Sequence, residues 1–375
     1  MFPTGSGELQ WCFGERCAAK WTQWANIKGT TADQSKFSPL DYHISNIIAL
    51  QSLSTQHKMS APFFKNVLVV GAGGQIGGQI VHQLLKEGKH NVSALTRPQS
   101  HSVMPSGVHS IHKANYDSPN ELSAAMQGQD VLVITMSAVA QPSSSIALID
   151  AAAAAGIKYI IPNEWGVDRA QVQIGKDIML AERAIKITQY IESKGLKWIS
   201  IACGFWYEHS LAGSEARFGF DFAKRSVTFF DDANVKITVT TWPQTALCLA
   251  RVLALPFETS SGPSISKYEN SQVFVSSFFV SQRDMLASVL RVTGDQESDW
   301  TITSEATDDR FARGMGMLQK GDFTGFPLVM YSRVFFAHDA MNHEAKVANG
   351  LLDLPKEDFD EATRAAVSMA RKVQG

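Results

Sequence analysis

The chain has 375 residues, of which 45% are apolar and 19% charged, and its formal net charge at pH 7 is -2. This length suggests about two or three domains, and the composition is typical of a globular protein with a sizeable core. The small net charge excludes a strongly basic nucleic-acid-binding protein. No stretch of about 18 apolar residues lacks a charge or a helix breaker, so no membrane span is predicted. The few cysteines suit a reducing, cytoplasmic compartment, and no metal site is expected.

The first 58 residues differ from the rest of the chain. They contain Trp11, Trp21 and Trp24 but no sustained period of 2 or 3.6 residues. They also lack the basic segment and apolar run of a secretory signal. The segment 59–62, which begins with Met59, comes before the first predicted strand and resembles a natural start of the domain. We therefore expect residues 1–58 to be a disordered extension, or an upstream piece that the folded domain does not need.

From residue 66 onward, short apolar runs alternate with helical segments. The run 67–70 is typical of a strand buried on both faces of a parallel sheet, and the helical spacing of 75–87 ends at Gly88. Further strands are predicted at 92–96, 108–112, 130–135, 159–162 and 198–202, and further helices at 121–126, 143–155 and 178–194. This alternation predicts an α/β fold with a Rossmann-type, doubly wound parallel sheet.

The pattern loosens after Gly204, where residues 205–222 are aromatic and irregular. We predict a doubly wound domain at 59–204, with residues 236–255 returning to it. Residues 205–375 would mostly form a smaller α/β region that covers the substrate. Its predicted elements are strands at 227–230, 236–240, 273–281 and 300–303 and a helix at 243–255.

A glycine-rich turn follows the first strand, and Gly71, Gly74 and Gly77 give it the spacing G-x-x-G-x-x-G. One glycine permits a tight turn, one lets the backbone approach a pyrophosphate, and one lets the helix pack on the strand. The phosphates would lie over free N–H groups at the helix N-terminus. Glycines alone also fit a simple turn, but here strand, turn and helix are all present. The predicted cofactor contacts in this turn are Gly71, Gly73, Gly74, Gln75, Ile76 and Gly77.

The end of the second strand favours NADPH over NADH. A carboxylate there binds the ribose 2′-hydroxyl of NAD, whereas an arginine accommodates the 2′-phosphate. The sequence has Thr96 and Arg97 and no carboxylate. Arg97 can bind a phosphate through two parallel hydrogen bonds, although a solvated arginine would also fit this position.

The segment after the fifth strand reads Ile-Ile-Pro-Asn-Glu-Trp-Gly at 160–166. With the glycine turn and Thr96-Arg97, it resembles the isoflavone reductase-like and NmrA-like branch of the atypical short-chain dehydrogenases, over about residues 65–255. The resemblance implies that this segment lines the nicotinamide pocket and that the chain after the fourth strand passes near the ribose. The residues implied beside the cofactor are Pro162, Asn163, Glu164 and Trp165, with Ser137 and Ala138 near the ribose.

The resemblance also implies an NADPH-dependent reductase of aromatic substrates, with a catalytic lysine on the helix before the sixth strand. In the family this lysine lies about eleven residues before the glycine that closes the helix. Gly195 is that glycine here, so the corresponding position is Ala184. The nearest lysine, Lys186, is the predicted catalytic residue, although it lies about 200° around the helix. Lys176 is another candidate. The alternative is a non-catalytic NmrA-like regulator that senses the dinucleotide through a protein partner.

A second motif, Tyr190 with Lys194, has the Y-x-x-x-K spacing of most short-chain dehydrogenases. It lies at the C-terminal end of its helix, away from the edge where the cofactor binds, so we expect it to be a coincidence.

Three aromatic residues after the sixth strand, Phe205, Trp206 and Tyr207, are predicted to form a substrate pocket, with packing as the alternative. His209 is interpreted as a surface histidine that could act as an acid, and Cys203 as a core residue. The sequence thus predicts an NADPH-dependent oxidoreductase that transfers hydride to a small aromatic or carbonyl substrate.

Overall fold

The computed structural model describes residues 2–3, 9–10, 63–137 and 140–374. The chain divides into two compact units, Met1–Ser60 and Ala61–Gly375. In the first unit, the strands Phe2–Pro3 and Leu9–Gln10 pair antiparallel. Apart from these two strands, residues 1–58, for which disorder was predicted, lie outside the described residues.

The strands of the second unit are short, as expected for an α/β protein. In chain order they are β1 (Asn66–Val70), β2 (Asn91–Thr96), β3 (Ser110–Lys113), β4 (Val131–Ile134), β5 (Tyr159–Ile161), β6 (Lys197–Ala202), β7 (Phe205–Trp206), β8 (Phe220–Asp221), β9 (Ser226–Phe230), β10 (Ile237–Thr240), β11 (Ser271–Phe274), β12 (Phe278–Val280) and β13 (Thr301–Glu305).

The helices of this unit lie between and after these strands. In chain order they are α1 (Gln75–Glu87), α2 (Pro119–Ala125), α3 (Pro142–Ala155), α4 (Val172–Asp177), α5 (Ala181–Ser193), α6 (Tyr207–Leu211), α7 (Trp242–Leu253), α8 (Gln282–Thr293), α9 (Thr307–Gln319), α10 (Gly325–Arg333) and α11 (Phe359–Gln374).

Seven strands form one parallel sheet in the order β3-β2-β1-β4-β5-β6-β11. The predicted doubly wound α/β sheet is therefore confirmed. The direction of winding reverses between β1 and β4, and ligands of such sheets bind at this point, outside the carboxyl ends of the strands.

Strand β1 is buried on both faces, which explains its unbroken apolar sequence. Val67 and Val69 pack into the same core as Ile80 and Leu84 of α1, while Leu68 and its neighbours pack into the core on the opposite face. Burial on both faces fixes the position of the turn that follows β1.

Beyond β6 the chain builds two small sheets, β8-β9-β13 and β12-β10-β7, around a separate aromatic core. The segment 273–281, predicted as one strand region, contributes to two different sheets. Strand β11 joins the central sheet beside β6, and β12 pairs with β10. The chain therefore returns to the central sheet once more after α7.

The helix predicted at 178–194 begins later, at Ala181, and a short helix, α4, precedes it. Met179 adopts a positive φ of 59° between the two helices. Leu180 N–H donates to the carbonyl of Gly175 at 3.2 Å, which closes the end of α4. The sequence missed this break because a methionine rarely adopts the left-handed conformation.

Candidate functional site

The glycine-rich turn between β1 and α1 has no space for side chains at two positions. Gly71 has a φ of 81°, and a Cβ there would lie 2.3 Å from the carbonyl oxygen of Thr135. A Cβ at Gly77 would lie 2.1 Å from the carbonyl oxygen of Gly71. The turn therefore packs tightly between α1 and the end of β4, as the glycine spacing predicts.

The N-terminus of α1 faces outward without a side-chain cap. Gly74 occupies the N-cap position, and the first turn carries no acidic residue. Gly73, Gly74 and Gln75 are exposed, whereas the Ile76 side chain is buried in the core. Uncapped N–H groups at an exposed helix N-terminus form a site that an anion can occupy.

The loop after β2 approaches the same turn. A Cβ at Gly73 would lie 2.7 Å from the carbonyl oxygen of Val103, so this loop packs against the glycine backbone. Thr96 is half-buried at the end of β2, and Arg97 is exposed. Arg97 forms no ion pair with any described residue, so its guanidinium is available to an added phosphate.

Two further segments meet at the carboxyl edge. The Asn163 side-chain amide donates to the carbonyl of Met136 at 2.9 Å, which joins the chain after β5 to the chain after β4. Pro162 is buried beside this contact and Ser137 is exposed. Ala138 lies outside the described residues.

Glu164 forms an ion pair with Arg169, a residue that the sequence analysis did not single out. The Arg169 guanidinium also donates to the Thr188 hydroxyl at 3.1 Å and lies 4.4 Å above the Trp198 ring. It reaches the carbonyl of Ala184 at 3.5 Å, so a cation from the loop occupies the helix face where the resemblance places a lysine. A cation five residues after a carboxylate was the only sequence signal for this pair.

Trp165 extends β5 by a parallel bridge to Ile201. Its indole Nε1 is buried and has no hydrogen-bond partner among the described residues. Because buried polar groups nearly always have a partner, an orphan donor at this edge fits a bound ligand.

The two lysine candidates lie on exposed surfaces. The Lys186 side chain is 70% exposed and pairs with Glu182 at 2.5 Å, and Lys176 is also exposed. The helical rotation between positions 184 and 186 turns Lys186 toward solvent. The structure therefore gives the catalytic prediction at Lys186 no supporting contact.

The Tyr190 and Lys194 pair has a structural role. Both side chains bind Asp150 of α3, at 2.8 Å and 2.6 Å. They link two helices at the C-terminal end of α5, which agrees with the interpretation as a coincidence.

Of the three residues predicted to form a substrate pocket, two are packed in the aromatic core. The Phe205 ring lies 4.4 Å from that of Tyr331. Tyr207 is fully buried, with its hydroxyl 2.7 Å from that of Thr363. Only Trp206 is partly exposed. For Phe205 and Tyr207 the packing alternative is the one observed, because both rings are buried in the aromatic core of the second half of the chain.

His209 is half-buried rather than a surface residue, and burial, with Arg217 nearby, lowers its pKa to about 4. It is therefore neutral at pH 7 and is not an acid there. Burial, with a smaller contribution from the nearby Glu357 carboxyl, raises the pKa of its neighbour Glu208 to about 7. Cys203 is fully buried, as expected of a core residue, and this burial raises its pKa to about 12.

Two other kinds of feature, a metal site and a membrane-spanning helix, are absent from the part of the chain that the structure describes. No group of three His, Cys, Asp or Glu side chains there could hold a metal ion. Within the same residues, no helix has the length and apolar character needed to cross a membrane.

The sheet order and the glycine turn define a Rossmann-type protein of the doubly wound class. Residues 64–213 match the model of the NmrA-like family. The resemblance inferred from the sequence is thus confirmed over this segment.

Known relatives extend the likeness beyond that segment. A protein named oxidoreductase aprR, from Aspergillus flavus, is 28% identical over 303 residues, which cover 79% of this chain and 96% of the relative. A solved structure of pinoresinol-lariciresinol and phenylcoumaran benzylic ether reductases has a TM-score of 0.66 at 20% identity, covering 80% of this chain and 99% of the neighbour. A second, AtPrR2 with NADP+ and (+)pinoresinol, has a TM-score of 0.64 at 19% identity, covering 81% and 99%. At these identities the solved structures establish the fold.

Proposed function

We propose that this protein is an NADPH-dependent oxidoreductase that reduces a small aromatic or carbonyl substrate by hydride transfer from the nicotinamide. The observation that carries the proposal is the turn between β1 and α1. Gly71 and Gly77 leave no room for a Cβ there, and the α1 N-terminus has no side-chain cap. This combination favours a pyrophosphate over the helix N-terminus.

The proposed cofactor contacts follow the carboxyl edge. The 71–77 turn would bind the pyrophosphate, Thr96 and Arg97 the 2′-phosphate, and Ser137 the ribose. The segment 162–165 would lie along the nicotinamide, with the Trp165 indole N–H as a donor. When bound, the reduced nicotinamide supplies the hydride, and these residues bind and orient it. Glu164 would contribute through its ion pair with Arg169, which fixes the loop after β5.

The relatives support an oxidoreductase rather than a binding module. The Aspergillus flavus relative is named an oxidoreductase, and the structural neighbour described above contains reductases by name. The folds agree over almost the full length of that neighbour, 99%.

A non-catalytic dinucleotide sensor with a regulatory protein partner is the second candidate. One observation favours it: Lys186 is exposed and ion-paired, so no lysine of α5 has a supported role in proton transfer. A sensor of this kind would prefer the oxidised cofactor, whereas a reductase should bind NADPH tightly.

The decisive experiment combines titration with a turnover screen. NADPH, NADP+ and NADH are titrated against the full chain, and NADPH oxidation is then followed with aromatic enones, aldehydes, quinones and benzylic ethers. Tight NADPH binding with turnover of at least one class supports the reductase. Preference for NADP+ without turnover across the panel would support the sensor instead.

The domain boundaries stay part of the proposal. A protein that begins at Met59 should fold and bind NADPH as the full chain does, because the central sheet and the proposed contacts all lie beyond this residue. Loss of binding in that shorter protein would show that residues 1–58 contribute to the site.

A further inference from the structure

A groove lies on the protein surface where the end of α8 meets the last turns of α11. It consists of two adjoining cavities, one beside Val292 with a volume of about 320 Å³ and one beside Trp300 with a volume of about 340 Å³. Val367 and Arg371 of α11 line both cavities, so the two form one elongated depression, called here the α8–α11 groove. Each cavity has the size of a small ligand-binding cleft, and neither is lined by a residue proposed to contact the cofactor.

The end of the groove beside Val292 is strongly basic. Arg364, Arg371 and Lys372 line it from one face of α11, and the described residues around it include no acid. Arg364 is paired with Glu361 at 2.5 Å. Arg371 and Lys372 are exposed and form no ion pair with any residue that the structure describes. A carboxylate at this end would therefore meet cations whose charge is not yet balanced.

The opposite end of the groove is aromatic, and its charges are paired with each other. The rings of Phe222 and Trp300 meet edge to face, with their centroids 5.7 Å apart. Arg225 and Asp295 form an ion pair at 3.6 Å, and the Trp300 indole N–H donates to the other oxygen of the Asp295 carboxylate at 3.2 Å. This end therefore offers an apolar wall and little net charge.

Val367 connects the two ends, because it lines both cavities and lies between the basic and the aromatic residues. With the half-buried Val292, it forms an apolar floor beneath the cations of α11. Basic residues in the last turn of a helix also offset the helix dipole, but that role does not require an apolar floor. The combination of a basic end, an apolar floor and an aromatic end is typical of a site for an amphiphilic anion.

We propose that the α8–α11 groove binds an aliphatic carboxylate, with the carboxylate at Arg371 and Lys372 and the alkyl chain along Val367 toward Phe222 and Trp300. An arginine guanidinium matches the geometry of a carboxylate through two parallel hydrogen bonds. Each methylene group that the groove removes from water adds to the affinity. The site does not depend on the proposed function, since it shares no residue with the proposed cofactor contacts.

The test measures the binding of octanoate, 1-octanol and acetate to the full chain by isothermal titration calorimetry. Octanoate should bind at least about tenfold more tightly than 1-octanol, which lacks the charge, and than acetate, which lacks the chain. Arg371→Glu should weaken octanoate binding by at least about tenfold, because it places a like charge beside the carboxylate. Arg371→Lys, which retains the charge, should lose no more than about threefold.

Lys356→Glu is the matched control. Lys356 is exposed, lies shortly before α11 and does not line the groove, so its reversal changes the net charge equally and should leave the octanoate affinity unchanged. An octanoate affinity no higher than that of 1-octanol or acetate would overturn the proposal. Wild-type affinity in Arg371→Glu, or an equal fall in Lys356→Glu, would overturn it as well, since the anion would then bind elsewhere.

Sedimentation with vesicles distinguishes a free carboxylate from a membrane surface. Phosphatidylcholine vesicles with and without phosphatidylserine should both leave the protein in the supernatant. Sedimentation with the anionic vesicles that is lost in Arg371→Glu, without octanoate binding, would replace the proposal with a membrane contact. Circular dichroism checks the fold of each variant, and NADPH titration of the same proteins reports separately on the proposed function.

Discussion

Gly77 lies so close to Gly71 that a Cβ on Gly77 would stand 2.1 Å from the Gly71 carbonyl oxygen. This contact places the first turn of α1 directly against the turn that follows β1. The same Cβ would stand 2.5 Å from the Thr135 hydroxyl, which donates to the Val70 carbonyl at 2.7 Å. The approach of helix to strand therefore depends on the absence of one side chain.

Gly77→Ala should move α1 away from the strand, because the nearest atom is the Gly71 backbone carbonyl oxygen, which cannot rotate aside. We expect a loss of about 1–3 kcal/mol in the free energy of unfolding and at least about tenfold weaker NADPH binding. Urea unfolding and cofactor titration measure the two effects.

Gly78→Ala is the control for this change. A Cβ there would lie 3.6 Å from the Ala72 carbonyl oxygen, which is an ordinary contact. Since alanine favours a helix more than glycine does, stability should stay equal or rise by about 0.5–1 kcal/mol. Equal damage from both substitutions would contradict the packing argument.

Arg97→Ala should weaken NADPH binding by roughly 10- to 100-fold while NADH binding stays nearly constant. The reason is that only NADPH carries the 2′-phosphate that this exposed guanidinium would bind. Arg97→Lys retains the charge but not the two parallel hydrogen bonds. Its affinity for NADPH should therefore lie between those of the wild-type protein and Arg97→Ala. The same loss for NADH as for NADPH would refute the assignment.

Glu208 should make the protein less stable as the pH rises. Its pKa is raised by burial from 4.5 to about 7, so the folded protein retains a proton that the unfolded chain releases. Its stabilising effect is complete below about pH 4.5 and is lost as the pH rises to about 7, on the order of 3 kcal/mol. Glu208→Gln should remove this part of the pH dependence while the amide still accepts the Trp242 N–H.

Urea unfolding at pH 5 and pH 8 measures the effect as the difference between wild type and variant. Burial also raises the pKa of Glu357, whose carboxylate accepts from the Thr241 hydroxyl at 2.8 Å, so some dependence should persist in Glu208→Gln. The exposed Glu182 offers the control, since Glu182→Gln should leave the difference in stability between pH 5 and pH 8 at its wild-type value. A Glu208→Gln protein with the wild-type slope would show that Glu208 is ionised throughout.

Lys186→Ala tests the catalytic residue predicted from the sequence. Because the side chain is 70% exposed and paired with Glu182, we expect kcat to change by no more than about twofold and stability to change little, since an exposed ion pair is screened by solvent. Tyr190→Phe, which removes a hydrogen bond to Asp150, should also leave kcat nearly unchanged. A fall in kcat of about 100-fold in Lys186→Ala but not in Tyr190→Phe would show that Lys186 takes part in catalysis.

Local sequence features made the central sheet and its cofactor turn predictable. Apolar runs such as 67–70 and closing glycines such as Gly88 and Gly156 carry their information within one element. The glycine spacing at 71–77 determines where a backbone can approach another group, and that requirement is visible without any tertiary contact.

The aromatic half of the chain was harder to interpret, since its elements depend on distant partners. A strand is predicted at 273–281, but its division into β11 and β12 depends on pairing with β6 and β10. The sequence pattern does not predict helices α8 to α11. Phe205 and Tyr207 were equally compatible with a pocket and with a core, because an aromatic residue suits both and only the neighbouring rings decide.

The sequence by itself determined the doubly wound fold, the glycine turn and the position of Arg97, since these follow from local periodicity and from residues with special backbone or charge properties. The tertiary structure alone decided that Lys186 faces solvent, that Arg169 pairs with Glu164, and that two tryptophans meet beside His209. Those outcomes depend on burial and on contacts between residues far apart in the chain, and burial is a property of the packed molecule rather than of any single segment.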